Sequence, residues 1–395
     1  MGPPSPDDSI RVRVVAGAAD FDALESRWAH LHEQCPASAF QSFEWQRAWW
    51  RHFGEHNRRL TLHILVLEQG ERLIAIAPFT LEKTRPFGIM PIRRLGLIGR
   101  GESDYLNLLI LPGCEAQVCR VIADHIQKRV TCDVVSFVDV PDDSPILTQL
   151  MKNLAATGWQ GEQTVREQCP RTQLLGTWPE TLASFEDSHR KRVAYLDRKL
   201  RRNFKVEVRR IEQGMDPAPA LAEFITMHRR RWARVGDSGA FPDRRAEAFH
   251  EEIARKFQQR GWLVLMFLML NDKAAAVNYA FKTNGRLQFY LSGTGDYDEA
   301  RKFAPGILLH AYCMAAMIEE GVPVYDFLRG TERYKYELGA KNVPNWSVLM
   351  LRPAAFVRMK QSLYTLRQDW GTKLKARLKK QPAAQAPEPP ASEAA

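Results

Sequence analysis

The sequence predicts an α/β protein of the α+β kind, built from two similar halves that each hold a mixed, mostly antiparallel sheet flanked by helices. Its 395 residues exceed the usual size of one hydrophobic core, which favours two domains. Strand–turn–strand patterns occur at residues 60–82 and again at residues 262–282. Helices precede each pattern, and a helix and a strand come later in each half, so the order of elements repeats although no sequence repeat is visible.

The first half is predicted to span residues 10–178 and to begin with a strand at 10–15, where apolar and charged residues alternate. Asp20 is predicted to cap a helix, and a second helix carries three tryptophans. Gln69-Gly70 is a turn signal between two strand-like runs. The remaining elements, in chain order, are strands at 95–98 and 105–111, a helix at 118–129 and a strand at 133–138.

The second half is predicted to span residues 179–352, after a junction at 168–179 that contains Pro and Gly. It opens with a strongly basic helix at 185–204. The apolar run 262–270 has nine residues, far fewer than the roughly 20 of a membrane helix, and so predicts a buried strand. The remaining elements, in chain order, are a strand at 205–211, helices at 218–235 and 244–261, strands at 274–282 and 286–292, a helix at 307–320 and a strand at 324–329.

The two ends of the chain are predicted to lie outside the two domains. Residues 1–9 and the Pro-, Ala- and Glu-rich tail 381–395 are expected to be disordered. Residues 353–380 are expected to form an amphipathic basic helix, because large apolar residues recur at steps of three and four. That helix either packs on the body of the protein or lies on an anionic membrane surface.

Composition narrows the choice of binding partners and of cellular compartment. The net charge of +10 favours an anionic partner such as CoA phosphates, tRNA or a lipid surface. The polar N-terminus has no apolar signal region, so a cytoplasmic location is expected, with a peripheral position at the inner face of the membrane as the alternative. The six cysteines form no C-x-x-C pair and no His cluster adjoins them, so we expect reduced thiols and no metal site.

The most informative segment runs from a strand through a short loop into a helix with Pro305-Gly306 at its mouth. A helix N-terminus presents free backbone N–H groups and the positive end of the helix dipole, which suits a phosphate. Arg301 and Lys302 add positive charge at the same place. The layout therefore predicts a pyrophosphate site, and the alternative is a capped turn that leads into a buried helix.

The segment Arg301-x-x-Ala304-x-Gly306 resembles the [Q/R]-x-x-G-x-[G/A] loop with which GNAT acetyltransferases bind the CoA pyrophosphate. It departs from that loop twice, because Ala304 replaces the first Gly and Pro305 has no N–H to donate. Ala-Pro-Gly before Leu-Leu resembles the P-G-x-L-L of the FemAB and CelD/BioF2-like subset. The resemblance implies that Arg301, Lys302, Ala304, Gly306 and Ile307 bind acetyl-CoA or another acyl-CoA as co-substrate.

Two further blocks carry the same resemblance. Residues 325–336, YDFLRGTERYKY, resemble the Y-D-F-L-R-G-x-x-x-Y-K block near the end of that family. Residues 40–50 resemble its N-terminal half more weakly, so the resemblance covers about residues 12–350. It implies two tandem GNAT-like domains followed by a C-terminal helix, with the reaction in the C-terminal, BioF2-like acetyltransferase domain.

Members of this family transfer acyl or aminoacyl groups. The resemblance implies an acyltransferase that moves an acyl group, by preference acetyl, from acyl-CoA to an amine or hydroxyl. The acceptor is expected to be a small molecule or a saccharide related to the cell envelope or an exopolysaccharide. One alternative is a Fem-like ligase that uses aminoacyl-tRNA and binds it through the basic helix. The other is a non-catalytic member that binds a polysaccharide precursor or a synthase subunit.

The expected mechanism is direct attack, because the sequence contains no G-x-S-x-G motif and no recognisable Ser-His-Asp or Cys-His arrangement. An amine with a pKa near 10 needs a base before it can attack. Asp326 is the first candidate, since burial in its apolar strand would raise its pKa, and Glu332 is the second. Tyr290 and Tyr334 are candidate proton donors to the thiolate or to the acceptor.

Four residues are candidates for holding the acceptor. Asp104 and Tyr105 follow a Gly-Arg-Gly turn and are expected to project into a cleft between the halves. Arg329 and Lys335 would hold an anionic acceptor, although Arg329 could instead pair with Asp326 as a structural ion pair. His310 lies one turn inside the helix and is interpreted as a packed core histidine.

Overall fold

A computed structural model describes residues 9–84, 92–234 and 236–353, apart from the side chain of Asp298. The disorder predicted for the chain ends and the helix predicted at residues 354–380 therefore lie outside the described residues. Contact of that helix with the body or with a membrane stays a prediction. No helix within the described ranges is long and apolar enough to cross a membrane.

The strands and helices follow the predicted order closely. The strands are β1 (Ile10–Val15), β2 (Leu60–Gln69), β3 (Arg72–Thr84), β4 (Ile92–Leu97), β5 (Leu109–Ile110), β6 (Val134–Pro141), β7 (Gln160–Gln168), β8 (Arg171–Gln173), β9 (Val206–Arg210), β10 (Leu263–Leu270), β11 (Lys273–Thr283), β12 (Arg286–Thr294), β13 (Val324–Asp326) and β14 (Pro344–Leu351). The helices are α1 (Ala18–Asp22), α2 (Glu25–Gln34), α3 (Phe43–Trp49), α4 (Glu115–Arg129), α5 (Met151–Ala156), α6 (Trp178–Ala183), α7 (Asp187–Asn203), α8 (Ala218–Ala233), α9 (Arg244–Gln259), α10 (Asp298–Arg301), α11 (Pro305–Glu319) and α12 (Arg333–Glu337).

The strands form two sheets. The first has the order β1-β2-β3-β4-β6-β14-β7, with β5 beside β3, and the second has the order β8-β13-β12-β11-β10-β9. Most neighbours are antiparallel, and β4–β6 and β12–β13 are parallel. Helices flank both sheets, so the predicted α/β architecture with two mixed, mostly antiparallel sheets is confirmed.

Two strands cross the division that the sequence suggests near residues 178 and 179. β14, from the end of the second half, inserts between β6 and β7 of the first sheet. β8, which precedes the division, pairs with β13 at the edge of the second sheet. The domain boundary stays a prediction, but these pairings tie each sheet to the other half of the chain.

Local predictions failed at three places, one of which is the strand predicted at 324–329, because that strand ends at Asp326. Asp20 lies inside α1, which Gly17 caps, because the helix begins two residues before it. The strand expected at 105–111 shrinks to Leu109–Ile110. The Leu106 N–H still donates to the carbonyl of Asp139 in β6, but residues 105–108 form no strand.

The two halves share one aromatic core. The ring of Trp45, from α3, lies 4.9 Å from that of Phe249 in α9 and 5.6 Å from that of Phe281 in β11. Trp45 is fully buried, and its indole N–H donates to Ser103 Oγ. The loop that begins at Gly99 is thereby fixed against the second half, which matters for the site described next.

The parallel strands β12 and β13 separate from each other at one end of the second sheet. Their register covers only Arg286–Gln288 against Val324–Asp326. Beyond that point β12 continues while the chain after β13 turns away, so a wedge forms between them. Three rings fill its base: the His310 ring lies 4.4 Å from Phe289 and 5.3 Å from Phe327.

Candidate active site

A cavity of about 490 Å³ opens where β12 ends and α11 begins. We call it the helix-mouth cavity. Its walls combine the end of β12, the first turn of α11 and the end of α8. The lining residues used below are Arg231, Ser292, Arg301, Ala304, Gly306, Ile307, His310 and Tyr334.

The mouth of α11 leaves a backbone donor for an anion. Ala304 has φ of 48°, the left-handed conformation that favours Gly, so it occupies the position of the first Gly of the motif in the matching backbone shape. The N–H groups of Ile307 and Leu308 both donate to the Ala304 carbonyl, at 3.0 and 3.3 Å. The Gly306 N–H has no partner among the described residues, and a Cβ added at Gly306 would meet nothing within 4 Å.

Most of the predicted donor-binding residues meet at this cavity. Arg301, Ala304, Gly306 and Ile307 line it, whereas Lys302 does not, and the Lys302 ammonium lies 5.2 Å from the ring of Phe303. The sequence reasoning missed two cations at the end of α8, Arg231 and Arg234. Only the fold brings α8 to this place, so no local signal identified them.

A second cavity, of about 520 Å³, lies between the two halves, and we call it the cleft cavity. Its walls come from residues 101–104 of the first half and from β12, the end of α8 and residues 327–335 of the second. Arg231, Ser292 and Tyr334 line both cavities, so the two adjoin. The Arg231 guanidinium donates to Ser292 Oγ at this junction.

Tyr334 and Tyr290 are the two predicted tyrosines of the site. The Tyr334 ring stacks on His310 at 5.2 Å, and its hydroxyl has no hydrogen-bond partner in the part of the chain that the structure describes. The Tyr290 hydroxyl, at the cleft cavity, donates to the Glu102 carbonyl at 2.7 Å. Burial raises the pKa of both phenols above the ordinary value, so both remain protonated at neutral pH.

Glu102 is a cleft residue that the sequence reasoning passed over. Its carboxylate accepts no hydrogen bond from the described residues. Burial raises its pKa, the Arg329 charge opposes that rise, and Asp243 and Asp104 add to it. The available signal was its position directly after the Gly-Arg-Gly turn and two residues before Asp104, which the sequence already placed in a cleft.

Asp104 and Arg329 form an ion pair that bridges the halves at the cleft cavity. The Arg329 guanidinium pairs with Asp104 and lies 3.6 Å from Asp139. Asp104 is 5% exposed, and burial raises its pKa to about 6 despite the opposing charge of Arg329. The structure thus brings these two predicted acceptor-binding residues together, already paired with each other.

Lys335 holds the turn that follows β13. Its ammonium is 2% exposed and donates to the carbonyls of Arg329 at 2.6 Å and of Phe327 and Gly330 at 3.2 Å. The same turn contains Leu328 with φ of 54°, a strained conformation for a branched side chain. Glu332, whose side chain is 55% exposed, pairs with Lys335 at 3.0 Å and lines the cleft cavity.

Asp326 and Tyr105 lie together but line neither cavity. Asp326 is fully buried and pairs with Arg171 Nε at 2.7 Å, not with Arg329. Its oxygens also accept from the Tyr105 hydroxyl at 2.9 and 3.1 Å and from the Leu328 N–H at 2.9 Å. Burial raises the pKa of Asp326 and Arg171 opposes the rise. Asp326 therefore supports the turn at Leu328 and lies outside the walls of both cavities.

Replacing Asp326 with Ala is expected to lower the free energy of unfolding by about 3–5 kcal/mol, because it leaves the Arg171 guanidinium buried without its partner. The matched control is Asp187→Ala on α7, which removes an exposed partner of Arg190 and should change stability by less than about 1 kcal/mol. Denaturant unfolding measures both. Equal effects of the two substitutions would contradict the structural role given to Asp326.

No group of three or more His, Cys, Asp or Glu side chains within residues 9–84, 92–234 and 236–353 is arranged to hold a metal ion.

Comparison with known proteins identifies the domain that carries the helix-mouth cavity. Residues 187–336 match the sequence profile of the family described as acetyltransferase (GNAT) domain. That segment contains β12, α11 and β13 and most of α12. No curated protein matches the chain.

Solved structures share the fold over most of the chain. FemX is 13% identical, with 90% of this chain and 99% of FemX covered and a TM-score of 0.59. L-PGS from Bacillus licheniformis is 10% identical, with 86% and 95% covered and a TM-score of 0.51. The C-terminal domain (DUF2156) of a putative lysylphosphatidylglycerol synthetase from Agrobacterium fabrum is 10% identical, with 89% and 97% covered and a TM-score of 0.50. Residues 187–336 thus match a GNAT acetyltransferase domain, and the chain as a whole shares the fold of FemX.

Proposed function

We propose that the protein transfers an acyl group, by preference acetyl, from acyl-CoA to an amine by direct attack. The observation that carries the proposal is the junction of the two cavities at Tyr334. A donor in the helix-mouth cavity and an acceptor in the cleft cavity would meet there. This arrangement allows the attacking nitrogen to reach the carbonyl carbon without an acyl-enzyme intermediate.

The helix-mouth cavity fits the diphosphate of CoA. The Gly306 N–H and the positive end of the α11 dipole attract a phosphate, and Arg301 adds a cation at the same wall. The space above Gly306 is open, so no described side chain occludes the loop. That openness favours a ligand-binding member of the family over a non-catalytic one with a closed loop.

The proposed chemistry uses one ionised side chain as a base and one protonated side chain as an acid. Glu102 removes a proton from the acceptor ammonium, directly or through a water, and its raised pKa makes it a better base than an exposed glutamate. The neutral amine attacks the thioester carbon, and the carbon–sulfur bond breaks. Tyr334 gives its proton to the leaving thiolate, and the resulting phenolate takes up the second proton of the attacking nitrogen as the amide forms. Asp326 and Glu332 are not assigned these roles, since Asp326 lines neither cavity and Glu332 is half-exposed and paired.

Aminoacyl-tRNA is the alternative donor, which the family resemblance of the sequence implies. It requires a positive surface along α7 that leads to the cavities. Several cations of α7 are instead paired with carboxylates: Arg190 with Asp187, Arg192 with Glu337 and Arg201 with Asp197. These pairs reduce the local positive charge, and we therefore favour CoA.

The proposal is tested by thiol release from acetyl-CoA and longer acyl-CoAs in the presence of an acceptor panel. The panel contains polyamines, amino sugars and the corresponding sugars that carry hydroxyl groups only, since a saccharide of the cell envelope or an exopolysaccharide is the expected acceptor. Release that depends on an amine supports the proposal. Release with hydroxyl acceptors alone would replace N-acylation by O-acylation. Transfer from charged tRNA, with none from any acyl-CoA, would overturn it.

A further inference from the structure

His310 is buried and yet lines the helix-mouth cavity. It lies in the second turn of α11, is 3% exposed, and was interpreted from the sequence as a packed core residue. Its packing is indeed tight, with Phe289 at its edge and Tyr334 stacked on its face. A histidine in such a place brings a polar atom to the same wall as Tyr334, and the proposed function leaves that atom unused.

One ring nitrogen of His310 is engaged in the interior. Nδ1 lies 2.7 Å from the Tyr325 hydroxyl and 3.3 Å from Nδ2 of Asn278. An amide nitrogen can only donate, so Nδ1 is an acceptor. The neutral ring must then carry its proton on Nε2, on the opposite edge of the imidazole.

The ring is neutral at physiological pH. Burial lowers the pKa of His310 to about 3, and the charges of Lys335 and Arg231 act in the same direction. His310 is therefore neither a base nor a cation in this site. What it can supply is a hydrogen-bond donor of fixed orientation, because the Phe289 and Tyr334 rings restrict its rotation.

We infer that His310 donates a hydrogen bond from Nε2 to the carbonyl oxygen of the thioester in the helix-mouth cavity. The inference rests on the proposed function, since it requires an acyl-CoA in that cavity. The donated bond polarises the carbonyl and strengthens as negative charge develops on its oxygen during attack. No covalent bond to His310 forms, and its proton stays on Nε2 throughout.

The test compares two ligands that differ only in the carbonyl, acetyl-CoA and its thioether analogue S-ethyl-CoA. Isothermal titration of the wild-type protein should give tighter binding of acetyl-CoA by roughly two- to tenfold, the effect of one neutral hydrogen bond. In His310→Phe, which keeps an aromatic ring against Tyr334, the ratio should fall to about one. In His310→Gln, which retains an N–H donor, part of the preference should return.

A measurement on the unchanged protein keeps the inference testable if His310→Phe does not fold. Nitrogen-15 NMR of the wild-type imidazole should show the Nε2–H tautomer, and acetyl-CoA but not S-ethyl-CoA should shift the Nε2 signal. An Nδ1–H tautomer, or equal affinities for the two ligands in wild-type and variant, would overturn the inference and leave the proposed function standing. Failure of both ligands to bind would remove the proposed function, and the inference with it.

Discussion

Replacing Gly306 with Glu is expected to abolish CoA binding in a protein that remains folded. The new carboxylate would stand at the second residue of α11, in the open space beside the helix-mouth cavity, and would repel the diphosphate. The fold should tolerate it, because an acidic residue in the first turn of a helix is favourable by about 0.3–1 kcal/mol through the helix dipole. The variant should therefore melt at or above the wild-type temperature.

Gly306→Ala is the matched control for this substitution. It keeps the backbone N–H, adds only a methyl group where no atom lies within 4 Å, and should bind CoA within a few-fold of wild type. Titration calorimetry and thermal melting of the three proteins separate charge from shape. Unchanged CoA affinity in a folded Gly306→Glu protein would remove the donor site from the mouth of α11.

Replacing Glu102 with Gln is expected to lower kcat by roughly 10²- to 10⁴-fold, the usual contribution of a positioned base. The acceptor amine would then have to lose its proton without help. Binding of acetyl-CoA should be unchanged, because Glu102 lines the cleft cavity and not the helix-mouth cavity. The control is Glu332→Gln on the same cavity, which should retain most of the activity because its carboxylate is half-exposed and paired with Lys335.

The pH dependence of the rate and of the stability tests the role of Glu102 independently. Glu102 acts as a base only when ionised, so the wild-type rate should rise with pH through its pKa, which burial places above the ordinary value of about 4.3. The Gln variant should lack this limb. Since the folded pKa is raised, the wild type should also lose stability as pH rises through that range, while the variant should not. A variant that keeps both the rate and the acid limb would show that another group is the base.

The local pattern around α11 predicted which residues gather at the helix-mouth cavity, because every signal there is short-range. The strand, the loop with Ala304 and the Pro305-Gly306 pair at the helix start all lie within one stretch of chain. This wall of the helix-mouth cavity can therefore be predicted without knowing any contact with a distant segment. Lys302 is the exception, because only the three-dimensional turn of α10 into α11 decides which of two adjacent cations faces the cavity.

The acceptor side depends on contacts between distant segments, which a sequence pattern does not encode. Arg171 is 155 residues from Asp326, and the pairing of the two replaces the Asp326–Arg329 alternative weighed from the sequence. Arg329 in turn pairs with Asp104 of the first half. The insertion of β14 into the first sheet is of the same kind, since an apolar strand does not reveal its neighbours.

The most direct test of the central claim is a crystal structure of the protein with S-ethyl-CoA, which cannot transfer its ethyl group. We expect the diphosphate at the Gly306 N–H, the sulfur within hydrogen-bonding reach of the Tyr334 hydroxyl, and the ethyl group directed into the cleft cavity beside Glu102. A ligand bound elsewhere, or a sulfur separated from Tyr334 by the wall between the cavities, would contradict acyl transfer at this junction.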